Sequence, residues 1–206
     1  ARPENSEAWF QLGRVLSERG DLAGAIDAYR SSLARNPDAR NTKLNLAVME
    51  ARAGNEDEAL LLYAQLLKSH PRYAPAFLNR ARLHERAGRI KEAEADLEAA
   101  IGVAPTDTEI RERLAQLLLG SGDTDRARSL LSDAVAESPA DAEMRLLLAE
   151  AELRSGNHAN AIKELDHAAS LAGEDRGLWK RLAQAYRDAG DTIAATRANS
   201  RVGSEP

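Results

Sequence analysis

The sequence predicts an all-α protein of six tandem helix-turn-helix units, and three observations carry that prediction. A glycine recurs every 34 residues, at Gly20, Gly54, Gly88, Gly122, Gly156 and Gly190, and an alanine stands five residues after each, from Ala25 to Ala195. Apolar residues return at helical spacing between these marks, as in Trp9, Leu12, Val15 and Leu16, then Leu22, Ala25, Ile26, Tyr29 and Leu33. Ala, Leu, Arg and Glu dominate, while aromatic residues make up 4% of the chain, a balance that favours helix over strand. At a usual Gly frequency of about 7%, six glycines on one such lattice arise by chance at odds on the order of 10⁻⁵, so the period belongs to the fold.

Each unit reads as two amphipathic helices. The lattice Gly falls where the first helix reverses, a place that favours positive φ. Asp21, Asn55, Asp123, Asn157 and Asp191 follow these glycines, placed to accept backbone N–H groups at the next helix start. Two small columns, Gly13, Ala47, Ala81, Ala115, Ala149 and Ala183 on the first helices and Ala25 to Ala195 on the second, let each pair cross closely. Pro37, Pro71, Pro105 and Pro139 end the second helices by removing a donor and crowding the preceding turn. Pro3 lies in the same column, which points to a further repeat upstream. The column Tyr29, Tyr63, Leu97, Leu131 and Leu165 turns polar at Asn199, where the array is expected to stop. One helix of about 13 residues is marginal in water, so stability must come from stacking neighbour on neighbour.

With these residues in place, the pattern Trp9, Leu12, Gly13, Leu16, Ala25, Tyr29, Ser32 and Pro37 resembles the tetratricopeptide repeat, a 34-residue helix-turn-helix with large, small, small, aromatic and Pro positions in that order. The resemblance covers about Ser6 to Val202 in six copies without insertions. It implies a right-handed superhelical solenoid: one array over residues 1–206, with repeats at about 6–39, 40–73, 74–107, 108–141, 142–175 and a truncated or capping 176–206.

Chemistry is poorly represented. The net charge of −5 does not call for a nucleic-acid partner, the absence of Cys excludes disulfides and thiolate-bound metal, and no run approaches the roughly 20 apolar residues of a membrane span. A soluble protein is expected, cytoplasmic or periplasmic; the chain begins at Ala1 rather than Met, and the compartment stays open. His84 shares a column with Leu16, Leu118 and Tyr186 and reads as a packed residue. His158 and His167 are nine apart, not at the i, i+4 spacing of paired ligands. Gly120 to Asp123 lacks the strand and G-K-[ST] of a phosphate loop, and Asp123 with Asp125 lacks the remaining ligands of a calcium loop. Trp9 and Trp179 read as packing residues, and Glu56, Asp57 and Glu58 as a solvated helix start. No catalytic residue, metal or cofactor is expected; the chain reads as non-enzymatic.

Binding is better supported. Stacked hairpins place the first helices on the concave side, where their solvent-facing residues form a groove. One column there reads Gln11, Asn45, Asn79, Arg113, Leu147, Arg181; an amide offers both donor and acceptor to a peptide bond. Asn45 and Asn79 resemble two rungs of the asparagine ladder in the repeat region of O-linked glycosyltransferases. Phe10, Leu44, Leu78 and Leu146 form an apolar stripe, with Arg14, Arg52, Arg82 and Arg86 beside it to grip carboxylates. Glu7, Glu18 and Glu85 dilute that field. The set resembles the carboxylate clamp of chaperone adaptors only in part: Asn45 matches one clamp position, while Phe10 stands where the clamp has Lys, Arg14 where it has Asn, and Pro75 and Asn79 where it has basic residues. The expected role is a scaffold holding a mildly acidic peptide, or one with a free carboxylate; self-association through an open end is a further expectation. Alternatives are the substrate-recruiting region of a glycosyltransferase, sulfotransferase or hydroxylase, and a bacterial envelope assembly or polysaccharide export factor.

Overall fold

All six lattice glycines take positive φ, between 72° and 87°, and each stands between a pair of helices. The computed structural model describes residues 5–203, which contain twelve helices and no strand: α1 (Ser6–Glu18), α2 (Leu22–Leu33), α3 (Arg40–Arg52), α4 (Glu56–Ser69), α5 (Ala74–Arg86), α6 (Ile90–Val103), α7 (Thr108–Ser121), α8 (Thr124–Glu137), α9 (Ala142–Arg154), α10 (His158–Leu171), α11 (Arg176–Asp188) and α12 (Thr192–Val202). Pro3 lies outside the described residues. The chain divides into two compact units, Ala1–Pro105 and Thr106–Pro206. Unit 1 holds the hairpins α1–α2, α3–α4 and α5–α6; unit 2 holds α7–α8, α9–α10 and α11–α12. Within unit 1 each second helix packs on the next first helix, α2 on α3 and α4 on α5, and α3 also touches α5. Within unit 2, α8 packs on α9 and α10 on α11, while α9 touches both α7 and α11.

The small columns sit where helices cross. Gly13 is buried, as are Ala47, Ala81, Ala115, Ala149 and Ala183 and all six alanines after the lattice glycines. A Cβ on Gly13 would stand 2.6 Å from the Tyr29 ring, so the aromatic of α2 occupies the space that a methyl fills in the other repeats. The large column from Tyr29 to Leu165 is buried throughout, and its polar member Asn199 is exposed. The second helices end as expected at Pro71, Pro105 and Pro139, whose preceding residues are pushed to φ between −134° and −129°. Where the fifth Pro would fall, Gly173 at φ 52° ends α10 instead.

The residue after each turn glycine follows two designs, not one. Asp21, Asp123 and Asp191 cap the following helix, accepting the N–H of Gly24, Arg126 and Ala194. Asn55 and Asn157, expected to do the same, make no side-chain cap. Each donates its amide backwards, to Glu50 Oε2 and to Glu152 Oε2, both at 2.7 Å. In the third repeat Arg89 Nε donates to His84 Nδ1 at 3.0 Å. Glu50, His84 and Glu152 all belong to the column of Leu16 and Leu118. Where that column is Glu or His, the residue five positions on reaches back to it; where it is Leu or, at Tyr186, Tyr, an Asp caps forwards. A carboxylate after Gly54 would sit against the fully buried Glu50, and a donor relieves that cost.

Repeat three replaces apolar packing with charge. Arg80 stands in the column of Leu12, Leu46, Leu114, Leu148 and Leu182, and Asp96 in the column of Leu62 and Leu130. The guanidinium of Arg80 on α5 donates Nε to Asp96 Oδ2 at 2.8 Å and Nη2 to Oδ1 at 2.5 Å, a bidentate pair across the hairpin.

Candidate functional site

The first helices of unit 1 carry nine of the ten residues selected from sequence; Arg113 lies on α7 in unit 2. Arg14, Arg52 and Arg86 are exposed, and Arg82 is half-buried. Arg14 stands 3.9 Å from Glu18, an exposed i, i+4 pair that screening leaves weak. The apolar stripe is more closed than predicted. Leu78 is 7% exposed and Leu146 is fully buried, so both pack into their own unit, and only Phe10 and Leu44 remain half-exposed. Phe10 leans on Tyr29, ring centroids 6.0 Å apart, and forms one wall of a pocket of about 170 Å³ with Glu7, Ala39, Arg40, Asn41 and Thr42.

The two asparagines differ. Asn79 donates its amide to the Pro75 carbonyl one turn earlier at 2.8 Å. Asn45 is half-buried and reaches the Tyr29 hydroxyl at 3.5 Å, a long contact. Burial pushes the Tyr29 phenol above its ordinary range, with Asn45 acting against that shift. Asn41, which sequence reasoning did not select, accepts from the Tyr73 hydroxyl at 3.0 Å and is exposed beside the pocket.

Unit 2 presents a different surface. A cleft of about 400 Å³ is lined by Glu150, Leu153, Arg154, Arg181, Gln184, Ala185 and Asp188. Arg181 donates to Glu143 and, at 3.5 Å, to Glu150. Arg154 donates to the Leu119 carbonyl. Burial raises the Glu150 carboxyl above its ordinary range despite Arg181. Burial raises Glu112 as well, with Glu143 adding to the shift. This arginine held among carboxylates was absent from the selection because the repeat columns fix which helix a residue lies on, not which charges meet across helices. Elsewhere, Arg35 stacks on Trp9 and Arg201 on Trp179, so both indoles pack against their own units. Among the described residues, no three His, Asp or Glu side chains are grouped to hold a metal ion, and no helix is long and apolar enough to cross a membrane.

With this geometry in hand, comparison with known proteins gives a consistent picture. Two family models described as "Tetratricopeptide repeat" match the chain, one at residues 50–117, 86–151 and 118–186, the other at 1–40 and 10–74. The chain is 30% identical over 105 residues to photosystem I assembly protein Ycf3 of a Synechococcus species, covering 50% of this chain and 61% of that protein. It is 37% identical over 87 residues to cellulose synthase operon protein C of Pseudomonas fluorescens, covering 42% of this chain and 7% of that protein. The crystal structure of a tetratricopeptide repeat protein from Parabacteroides merdae matches with a TM-score of 0.78 at 21% identity, covering 98% of this chain and 80% of the other. The chain spans between 7% and 61% of the length of the curated relatives it matches.

Proposed function

Because the chain belongs to the tetratricopeptide repeat family, we propose that it is a non-enzymatic protein-interaction scaffold whose first helices hold a segment of a partner protein. One observation carries this reading for unit 1: the half-exposed Phe10 and Leu44 lie on the same helices as exposed Arg14 and Arg52 and the amide of Asn45, beside a pocket open to solvent. An apolar side chain entering the pocket stacks on Phe10, the peptide backbone pairs with Asn45 and Asn79, and carboxylates meet Arg14, Arg52 and Arg86. Asn79 exchanges its Pro75 carbonyl for the guest, which costs little at a solvated helix surface.

Selection of phage-displayed 15-residue peptides on the immobilised chain, followed by titration calorimetry with the enriched sequences, tests the reading. Enrichment of Asp and Glu around one large apolar residue is expected, with Asn45→Ala plus Asn79→Ala weakening binding about tenfold, equivalent to ~1.4 kcal/mol. Enrichment of basic peptides, or unaltered affinity in the double variant, defeats it. A second reading, in which these repeats recruit a client to a longer polypeptide, is favoured by the 7% coverage of cellulose synthase operon protein C. That relative's name also fits an envelope polysaccharide factor. Deleting the repeats from the complete natural polypeptide then abolishes client capture while leaving its other domains active.

A further inference from the structure

We infer that the Tyr63 hydroxyl, together with Arg82 and Arg86, forms a fixed point on the inner face of unit 1 that takes a carboxylate of the partner segment. The inference rests on the inner-face reading above and names the groups that hold the acidic residue. It starts from a difference between two equivalent tyrosines. Tyr29 and Tyr63 stand 34 residues apart in one column, and each is 1% exposed. The Asn45 amide of α3, 16 residues on, reaches the Tyr29 hydroxyl at 3.5 Å. Asn79 of α5 stands 16 residues after Tyr63, but its amide donates to the Pro75 carbonyl at 2.8 Å instead. The Tyr63 ring is closed into the core of unit 1, yet its hydroxyl makes no hydrogen bond among the described residues, and the oxygen is not sealed from the surface. A polar group at the edge of a packed core without a protein partner is uncommon and asks for an explanation.

Its surroundings are cationic. Asn79, Arg82 and Arg86 fall at i, i+3 and i+7 on α5, one stripe of that helix. Arg82 is half-buried and Arg86 exposed. Burial raises the Tyr63 phenol above its ordinary range, and Arg86, then Arg82, act against that rise. Both guanidiniums therefore lie close enough for their charge to reach the hydroxyl, which stays a neutral O–H at neutral pH. Guanidinium groups only donate, and a phenol beside them donates as well, so the complement is an anionic acceptor.

The combination occurs once in the chain. At the positions of Arg82 and Arg86 the other first helices carry Arg14 and Glu18, Val48 and Arg52, Gln116 and Gly120, Glu150 and Arg154, and Gln184 and Asp188. Where the tyrosine column turns to Leu97, Leu131 and Leu165, the first helix that follows has no doubled arginine. The hydroxyl without a protein partner and the arginine pair thus coincide on one helix crossing, that of α4 and α5.

The test labels the four tyrosines of the whole chain with ¹³C at Cζ, assigns them with Tyr→Phe variants, and titrates sodium acetate against sodium chloride at equal ionic strength. The Tyr63 signal should move saturably with acetate, the Tyr29 signal should not, and Arg82→Gln plus Arg86→Gln should abolish the response. Tyr63→Phe should leave the thermal midpoint unchanged, whereas Tyr186→Phe, which deletes a hydrogen bond to Asp166 Oδ1 at 2.8 Å, should lower it. Calorimetry then uses the acidic peptide most enriched in the selection above, and Tyr63→Phe should weaken its binding about tenfold. A peptide that Asn45→Ala plus Asn79→Ala weakens and Tyr63→Phe does not overturns this inference and leaves the inner-face reading standing. A saturable acetate response in a chain that enriches no acidic peptide removes that reading and keeps the carboxylate site. A Tyr63 signal that follows chloride equally, or answers inorganic phosphate at lower concentration than acetate, overturns the carboxylate assignment.

Discussion

The bidentate pair of Arg80 and Asp96 gives the sharpest test of how this chain departs from its own repeat. Asp96 is 7% exposed in its side chain and Arg80 24%, so Asp96→Ala strands a guanidinium that keeps only partial access to water. Breaking a buried ion pair from one side costs about 3–5 kcal/mol, and the quarter exposure of Arg80 places the expected loss near the lower end, ~3 kcal/mol. Arg80→Leu plus Asp96→Leu gives repeat three the residues that repeat two has at these positions, Leu46 and Leu62, which lie in one core. Replacing such a pair by packed apolar residues is often neutral or stabilising by about 1–4 kcal/mol, so the double variant should match or exceed the parent. Urea unfolding followed by circular dichroism, with midpoint and slope compared across the single and double variants, reads both effects. An Asp96→Ala loss under about 1 kcal/mol, or a double variant as unstable as the single, refutes the argument that this pair is buried charge standing where Leu would serve.

Two further outcomes follow. Gly54→Ala forces an L-residue to φ 87° and should cost about 1–2 kcal/mol although nothing lies within 4 Å of the added methyl, whereas Gly102→Ala, inside α6 with equally open surroundings, should stabilise by about 0.5–1 kcal/mol; thermal melts with the same sign for both would contradict this. Burial holds the His84 imidazole below its ordinary value of 6.5, against the pull of Asp96 and with help from Arg89 and Arg80, while Glu92 acts as Asp96 does. A depressed folded value means that the unfolded chain protonates first. Stability relative to His84→Gln should therefore be constant above about pH 7, fall as the pH drops through 6.5 and level off once the folded imidazole also protonates. A difference that stays flat from pH 7.5 to 5 would show that the burial is immaterial.

The sequence alone determined what is local. The turn at each lattice glycine was legible because a positive φ is a property of one residue and its neighbours, and the helices because a 3.6-residue period repeats over a dozen positions. Leu78 and Leu146 shared a column with the half-open Phe10 and Leu44, and only packing against neighbouring helices closed them. Asn55 and Asn157 looked like caps because an Asx side chain at that place can turn either way; the buried acids Glu50 and half-buried Glu152 decided the direction. Arg80 was visible as a departure from a Leu column, with Asp96 16 residues on in a column that holds Leu only at Leu62 and Leu130, yet that they meet depends on the crossing of α5 and α6. The gathering of Arg181, Glu143 and Glu150 likewise required two first helices side by side. A one-dimensional pattern fixes which face a residue occupies, whereas Coulomb and packing energies depend on distances across the gap between elements, and those exist only once the chain has folded.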